Sequence, residues 1–149
     1  TCIVNILTES IVGNNFNDNP RKLVALTSDQ RELVKVFSRW YDGAYPDVSN
    51  PIALWEIKEY YGTTTFGSRV ADGVYESLLD GYEINEAEDL LNRRISHYLI
   101  VDDHYTWYRL GKSYLCRLVD MMHMGFVDEV IFGREVLTRW PEIVRSWQE

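Results

Sequence analysis

The sequence predicts a mainly α, single-domain α+β protein: a helical core that carries one small β-hairpin. Three observations lead there. From residue 27 onward, apolar residues recur mostly at three- and four-residue spacing; capping residues and glycines punctuate the repeats; and only residues 98–110 switch to a β-prone pattern. The length of 149 residues suits one domain, 1–149, and a hydrophobic share of 46% supplies a core without metal or disulfide staples. Cys2 and Cys116 match neither a disulfide framework nor a zinc spacing and read as reduced thiols, with Cys116 buried and inert.

Residues 1–26 read as an arm: an apolar strand-like run, Ile3 to Leu7, then an Asn-rich loop ending in Pro20. Thr27 and Gln30 have capping-box spacing, and Leu33, Val34, Phe37, Trp40 and Tyr41 follow at helical spacing, which predicts a helix near 28–41. After a loop with Gly43 and Pro46, Asn50 and Pro51 start a helix over 51–61. Ser68 caps a helix that Gly81 ends, and Asn85 with Glu88 opens another that carries Leu90, Leu91 and Ile95. Tyr98–Val101 and Tyr105–Leu110 flank a polar turn and predict the hairpin near 98–110. A helix follows from Ser113 to Gly125, and one or two more close the chain, the last started by Pro141.

The order helix, helix, hairpin, helix over residues 67–124 resembles a winged helix-turn-helix domain. The residues that carry the resemblance are the Asn85–Ile95 helix, the Tyr98–Val101 strand, the Asp102–His104 turn and the segment Tyr108, Arg109, Leu110, Gly111, Lys112. It implies DNA binding by the second helix and the wing. The charges oppose that: between Gly67 and His97 stand Asp72, Glu76, Asp80, Glu83, Glu86, Glu88 and Asp89 against only Arg69, Arg93 and Arg94, and the wing tip is Asp102 and Asp103. A groove-reading helix needs the opposite sign.

With 23 acidic against 15 basic residues the net charge is −8, which repels phosphate backbones and acidic membranes and favours a basic protein partner. No signal segment or membrane-spanning run is evident, so the expected location is cytoplasmic. His97, Asp102, Asp103 and His104 have no metal-site spacing, the Gly62–Gly67 stretch lacks a phosphate-loop signature, and the pairs Glu56 with Glu59 and Glu86 with Asp89 read as exposed helix faces. No metal or cofactor is therefore expected.

The functional expectation is a non-enzymatic binding protein that docks an acidic, aromatic surface on a basic, nucleic-acid-handling protein and blocks it. Phage and mobile-element anti-defence inhibitors, including DNA mimics, share this composition. The contact candidates are Tyr41, Asp42, Tyr45 and Asp47, with the acidic series Asp72, Glu76, Asp80, Glu86, Asp89, Asp102 and Asp103. Two alternatives stand beside it. One is a DNA-binding winged-helix regulator using Arg93, Arg94, Arg109 and Lys112; the other is a metal-dependent enzyme.

Overall fold

A computed structural model describes residues 1–60, 66–103 and 105–149. It corrects the mainly helical expectation: the protein is mixed α/β, with a two-stranded and a four-stranded sheet. The supposed N-terminal arm begins with helix α1 (Cys2–Val12). Where a helix over 28–41 was expected, β1 (Ala25–Thr27) and β2 (Leu33–Val36) form an antiparallel ribbon. The larger sheet takes β3 (Gly43–Tyr45) antiparallel to β4 (Ala53–Lys58), then β5 (Ser96–Val101) and β6 (Glu129–Phe132), both running parallel to β4.

Helices α2 (Phe66–Leu91) and α3 (Lys112–His123) are the crossovers that parallel neighbours require, and α4 (Val136–Ser146) follows β6. The sheet is covered on both faces. Trp55, Tyr98, Ile100 and Ile131 point toward Val4 of α1 and Val136, Trp140, Ile143 and Val144 of α4. Their strand neighbours point the other way, Leu54 toward Ile84 and Ala87 of α2, and Leu99, Val101 and Val130 toward α2 and α3. Double burial explains why these strands read as near-continuous apolar runs instead of alternating ones.

The winged-helix expectation fails at its defining element. Tyr98–Val101 belongs to a central parallel strand, and Tyr105–Leu110 is a short π-helix, so the described residues of 98–110 form no hairpin. The two helices expected to break at Gly81 are one, α2. Glycine stands there because a Cβ would collide with Phe126, whose carbonyl oxygen would lie 2.7 Å away. The helix expected over 51–61 is β4, and Pro141 lies inside α4 instead of starting it. The helix expected from Ser113 corresponds to α3, but Cys116 on it is exposed, as is Cys2.

Aromatic packing holds α1 and α4 to the sheet. Trp140, 0% exposed, meets the Trp55 ring edge-on at 5.3 Å and donates its Nε1–H to Thr8 Oγ1 at 2.9 Å. The Asn-rich stretch crosses the outer edge of β3, where Asn17 and Ala44 exchange backbone hydrogen bonds of 2.9 and 3.0 Å, and so shields that edge. Gly43 is required by contact, because a Cβ there would enter the Trp55 indole. Gly43→Ala is therefore expected to destabilise the protein by at least about 1–3 kcal/mol, read as a lowered urea midpoint by circular dichroism.

Candidate functional site

Because β3 runs antiparallel to β4, the residue just before β3 lies beside the carboxyl end of β4. That residue is Asp42. Its backbone N–H donates to Trp55 O at 3.1 Å, and its Oδ2 accepts the Ile57 N–H at 2.7 Å, so the backbone and carboxylate of Asp42 together bracket Glu56. Side chains of β4 alternate, which puts Glu56 and Lys58 together on the face toward α2, with the Lys58 ammonium 3.3 Å from both Glu56 Oε2 and Glu76 Oε2. Crevices outside the carboxyl ends of parallel strands are where open α/β sheets take ligands.

Glu56 is the anomaly of this cluster. It is only 6% exposed, and burial pushes its pKa up to about 8; Lys58 opposes the shift, while the like charges of Asp42 and Asp80 add to it. Burial lowers the pKa of Lys58, but Glu56 and Glu76 outweigh it and the net shift is upward. Tyr41 adds a buried phenol whose hydroxyl has no hydrogen-bond partner among the described residues; burial raises its pKa, reinforced by Asp80, Glu56 and Glu83. Around Arg39 and Lys58 the fold thus gathers Asp42, Glu56, Glu76, Asp80 and Glu83, more negative charge than the two cations offset.

Most of the acidic residues expected to face a partner are engaged internally. Asp80, 4% exposed, accepts Arg39 Nε at 2.6 Å; its pKa is raised by burial against the pull of Arg39. Lys35 pairs with Glu86, and Ser38 with Glu83, so one face of α2 holds the strap that leads from β2 to Asp42. Asp102, 1% exposed, accepts the Tyr60 N–H at 2.7 Å and Trp107 Nε1–H at 3.0 Å, and Asp103 caps the π-helix through Thr106. Asp47 is exposed but turned to Asn17 Nδ2 and the Val48 N–H. Tyr41 and Tyr45 are buried, so neither can serve as an exposed anchor; Asp72 and Asp89 are exposed on α2.

The basic patch that DNA binding would have used is not assembled, since Arg93 and Arg94 precede β5 whereas Arg109 and Lys112 follow it at the opposite end of the sheet. Arg94 is held by Asp128 at 2.7 Å. Glu56 does not form an exposed helix-face pair with Glu59. Most of the Gly62–Gly67 stretch, residues 62–65, and His104 lie outside the described residues.

His97 is buried in β5, and its pKa is lowered by desolvation, helped by Lys58 and opposed by Phe126 O and Asp128. A histidine held neutral in the fold but titrating near about pH 6.5 when unfolded binds more protons unfolded, so its contribution to stability is present above that pH and falls as the medium becomes acidic. Urea unfolding is expected to show a larger loss of stability from about pH 7 to about pH 5 in the wild type than in His97→Gln, and equal losses would contradict a neutral His97.

Among the described residues, no three His, Cys, Asp or Glu side chains converge closely enough to hold a metal ion between them, and no helix is long and apolar enough to cross a membrane. The chain belongs to the family described as a domain of unknown function (DUF7687), whose model matches residues 1–147. Neither a curated protein nor a solved structure matches it.

Proposed function

We propose that the protein is a divalent-cation-dependent hydrolase of phosphodiester bonds, with Asp42 and Glu56 as cation ligands and Lys58 as the phosphate-facing cation. The carrying observation is the placement of Asp42 beside a buried Glu56 whose pKa is pushed up to about 8, with Lys58 on the same strand face. A carboxylate burdened in this way is stabilised in its charged form by a cation. Of the readings open from the sequence, this is the metal-dependent enzyme.

The donor set suits magnesium or manganese. Both are hard cations that favour carboxylate oxygens, and magnesium commonly binds through one or two carboxylates plus substrate phosphate instead of an all-protein cage, which fits a site of two ligands. Such a cation, when bound, supplies Lewis-acid polarisation of a phosphoryl oxygen and lowers the pKa of bound water. The protein's own part is positional: the Ile57 N–H fixes Asp42, β4 orients Glu56, and the Lys58 ammonium can shift from carboxylate to a phosphate oxygen as charge develops. The acidic surroundings argue for the same dependence, because a polyanion approaches this edge only once a cation offsets it. A nucleic-acid substrate is in keeping with a cytoplasmic location.

The test is hydrolysis of labelled single- and double-stranded DNA and RNA with magnesium or manganese and with chelator. Cation-dependent cleavage that disappears in Glu56→Gln is expected; no cleavage of any of the four substrates under either metal would defeat the reading.

A second reading, the acidic docking protein, is favoured by one observation: the solvent face of α2 presents Tyr75, Tyr82 and Leu90, each more than half exposed, beside Asp72 and Asp89. It predicts a basic protein partner captured by the wild type and lost on Asp72→Lys with Asp89→Lys. Identical captures by both proteins would remove its support.

A further inference from the structure

The carboxyl ends of β4, β5 and β6 lie side by side, with Lys58, Val101 and Phe132 in register. The segments that leave them carry exposed cations: Arg69 in the first turn of α2, Arg109 near the end of the π-helix, Lys112 at the start of α3 and Arg134 just after β6. Among the described residues none of these four has an ion-pair partner, whereas Arg39, Arg94 and Arg139 each hold a carboxylate within 2.7 Å. In a chain of net charge −8, four cations left without a carboxylate at one end of the sheet mark a place for an anion. The exposed acids nearby do not take them. Glu59 pairs with the Thr1 ammonium at 3.1 Å, Asp103 accepts the Thr106 N–H at 3.3 Å, Glu135 accepts the Phe132 N–H at 3.1 Å, and Asp72 on α2 pairs with none of the four.

Aromatic rings join this end to Lys58. Tyr60 stands two residues beyond Lys58, and its ring meets Trp107 of the π-helix at 6.1 Å. Burial raises the Tyr60 pKa while Lys58 and Arg69 oppose the shift, so both cations lie near that ring. Beyond Trp107, Tyr108 meets Phe132 at 6.2 Å, and both border an open recess of about 460 Å³ that Arg134 also lines. Tyr105 opens the π-helix with 62% of its surface exposed. Single turns of π-helix are rare and recur at functional sites.

Cations for phosphates beside an exposed ring for a base are the parts of a single-strand track. A duplex keeps its bases stacked on one another, so a ring such as Tyr105 serves a strand whose bases are free to leave the stack.

We infer that this strip seats a single strand of nucleic acid, its phosphates on Arg69, Arg109, Lys112 and Arg134 and a base on Tyr105, and leads it to Lys58. The inference rests on the hydrolase reading of the Asp42–Glu56 edge and names its substrate as an unpaired strand.

The test is fluorescence anisotropy of a labelled phosphorothioate DNA strand of about 16 nucleotides, alone and annealed to its complement, titrated with the protein in chelator at several salt concentrations. The single strand is expected to bind at least about tenfold more tightly than the duplex. Arg109→Gln with Lys112→Gln should weaken that binding by at least about tenfold at low salt and flatten the logarithmic salt dependence by about 1.4, since each phosphate contact to a single strand contributes about 0.7. Tyr105→Ala should weaken it at least about fivefold with the slope unchanged. Arg145→Gln is the control: it lies two residues before Trp147, which stacks on Tyr45 at the amino end of β4, and should change neither quantity. No binding of the strand at low salt, equal affinity for strand and duplex, an unchanged slope in the double variant or no loss in Tyr105→Ala would each overturn the inference. Arg69→Gln with Arg134→Gln repeats the charge test on two other elements, so a folding defect in one pair does not hide the outcome. Absent cleavage with intact binding removes the hydrolase reading alone; cleavage with binding that ignores these substitutions removes the strip alone.

Discussion

If the protein acts as the proposed hydrolase, Glu56→Gln and Asp42→Asn are each expected to reduce cation-dependent phosphodiester cleavage by at least about a hundredfold, equivalent to about 2.7 kcal/mol of barrier, while the fold stays intact. The magnitude follows from the ligand role, since even residues that only support metal ligands commonly change affinity or activity by about tenfold to a hundredfold. The structural controls are built into the substitutions. Asparagine at 42 can still accept the Ile57 N–H, and glutamine at 56 removes a buried group whose charged form is disfavoured by desolvation. Glu56→Gln should therefore melt at the wild-type temperature or above it. A functional carboxylate sacrifices stability where it sits, whereas a structural one would cost stability when neutralised. Lys58→Met, by contrast, is expected to retain the cation and still lose about a hundredfold in turnover. Steady-state kinetics with thermal melts on all three variants checks this.

Trp140→Ala is the most damaging single core change expected, at about 3–5 kcal/mol. Trp140 is fully buried, stacks edge-on against Trp55, Tyr98 and Trp147, and satisfies Thr8 Oγ1 across the α1–α4 contact. Alanine leaves a void that three other aromatic rings border and removes the donor to a buried hydroxyl. Because Trp55 neighbours Glu56 and packs over Gly43 beside Asp42, the loss should reach the site as well. Urea unfolding followed by circular dichroism gives the stability, and a shift under about 1 kcal/mol would contradict the packing described.

The sequence was legible where local signals and tertiary context agree. The α3 pattern of Leu115, Leu118, Val119 and Met122 predicts a helix, and the structure has one; the β-prone run Tyr98–Val101 is a strand. It misled where a buried strand carries polar residues. In β4, Glu56 and Lys58 interrupt an apolar run behind a proline, which mimics a helix start, and a helix over 51–61 places the two residues about 200° apart around its axis. On a strand the same i, i+2 spacing puts them side by side. The site vanishes under the wrong period, and Glu56 becomes one more exposed acid.

The acidity misled in a similar way. Glu76, Asp80 and Glu86 look like a charged helix face, but their partners Lys58, Arg39 and Lys35 lie 18 to 51 residues away in the chain and meet them only through the β1–β2 ribbon and β4. Composition counts charges without pairing them. Asp42 was singled out among contact candidates, yet its pairing with Glu56 depends on the antiparallel return of β3, which no local pattern announces.

The most direct measurement is manganese binding followed by water-proton relaxation, in the presence of a phosphorothioate oligonucleotide that resists cleavage. Saturable manganese binding by the wild type is expected, weakened by at least about tenfold in both Asp42→Asn and Glu56→Gln and retained in Lys58→Met. Wild-type and Glu56→Gln protein binding manganese with equal affinity would contradict it.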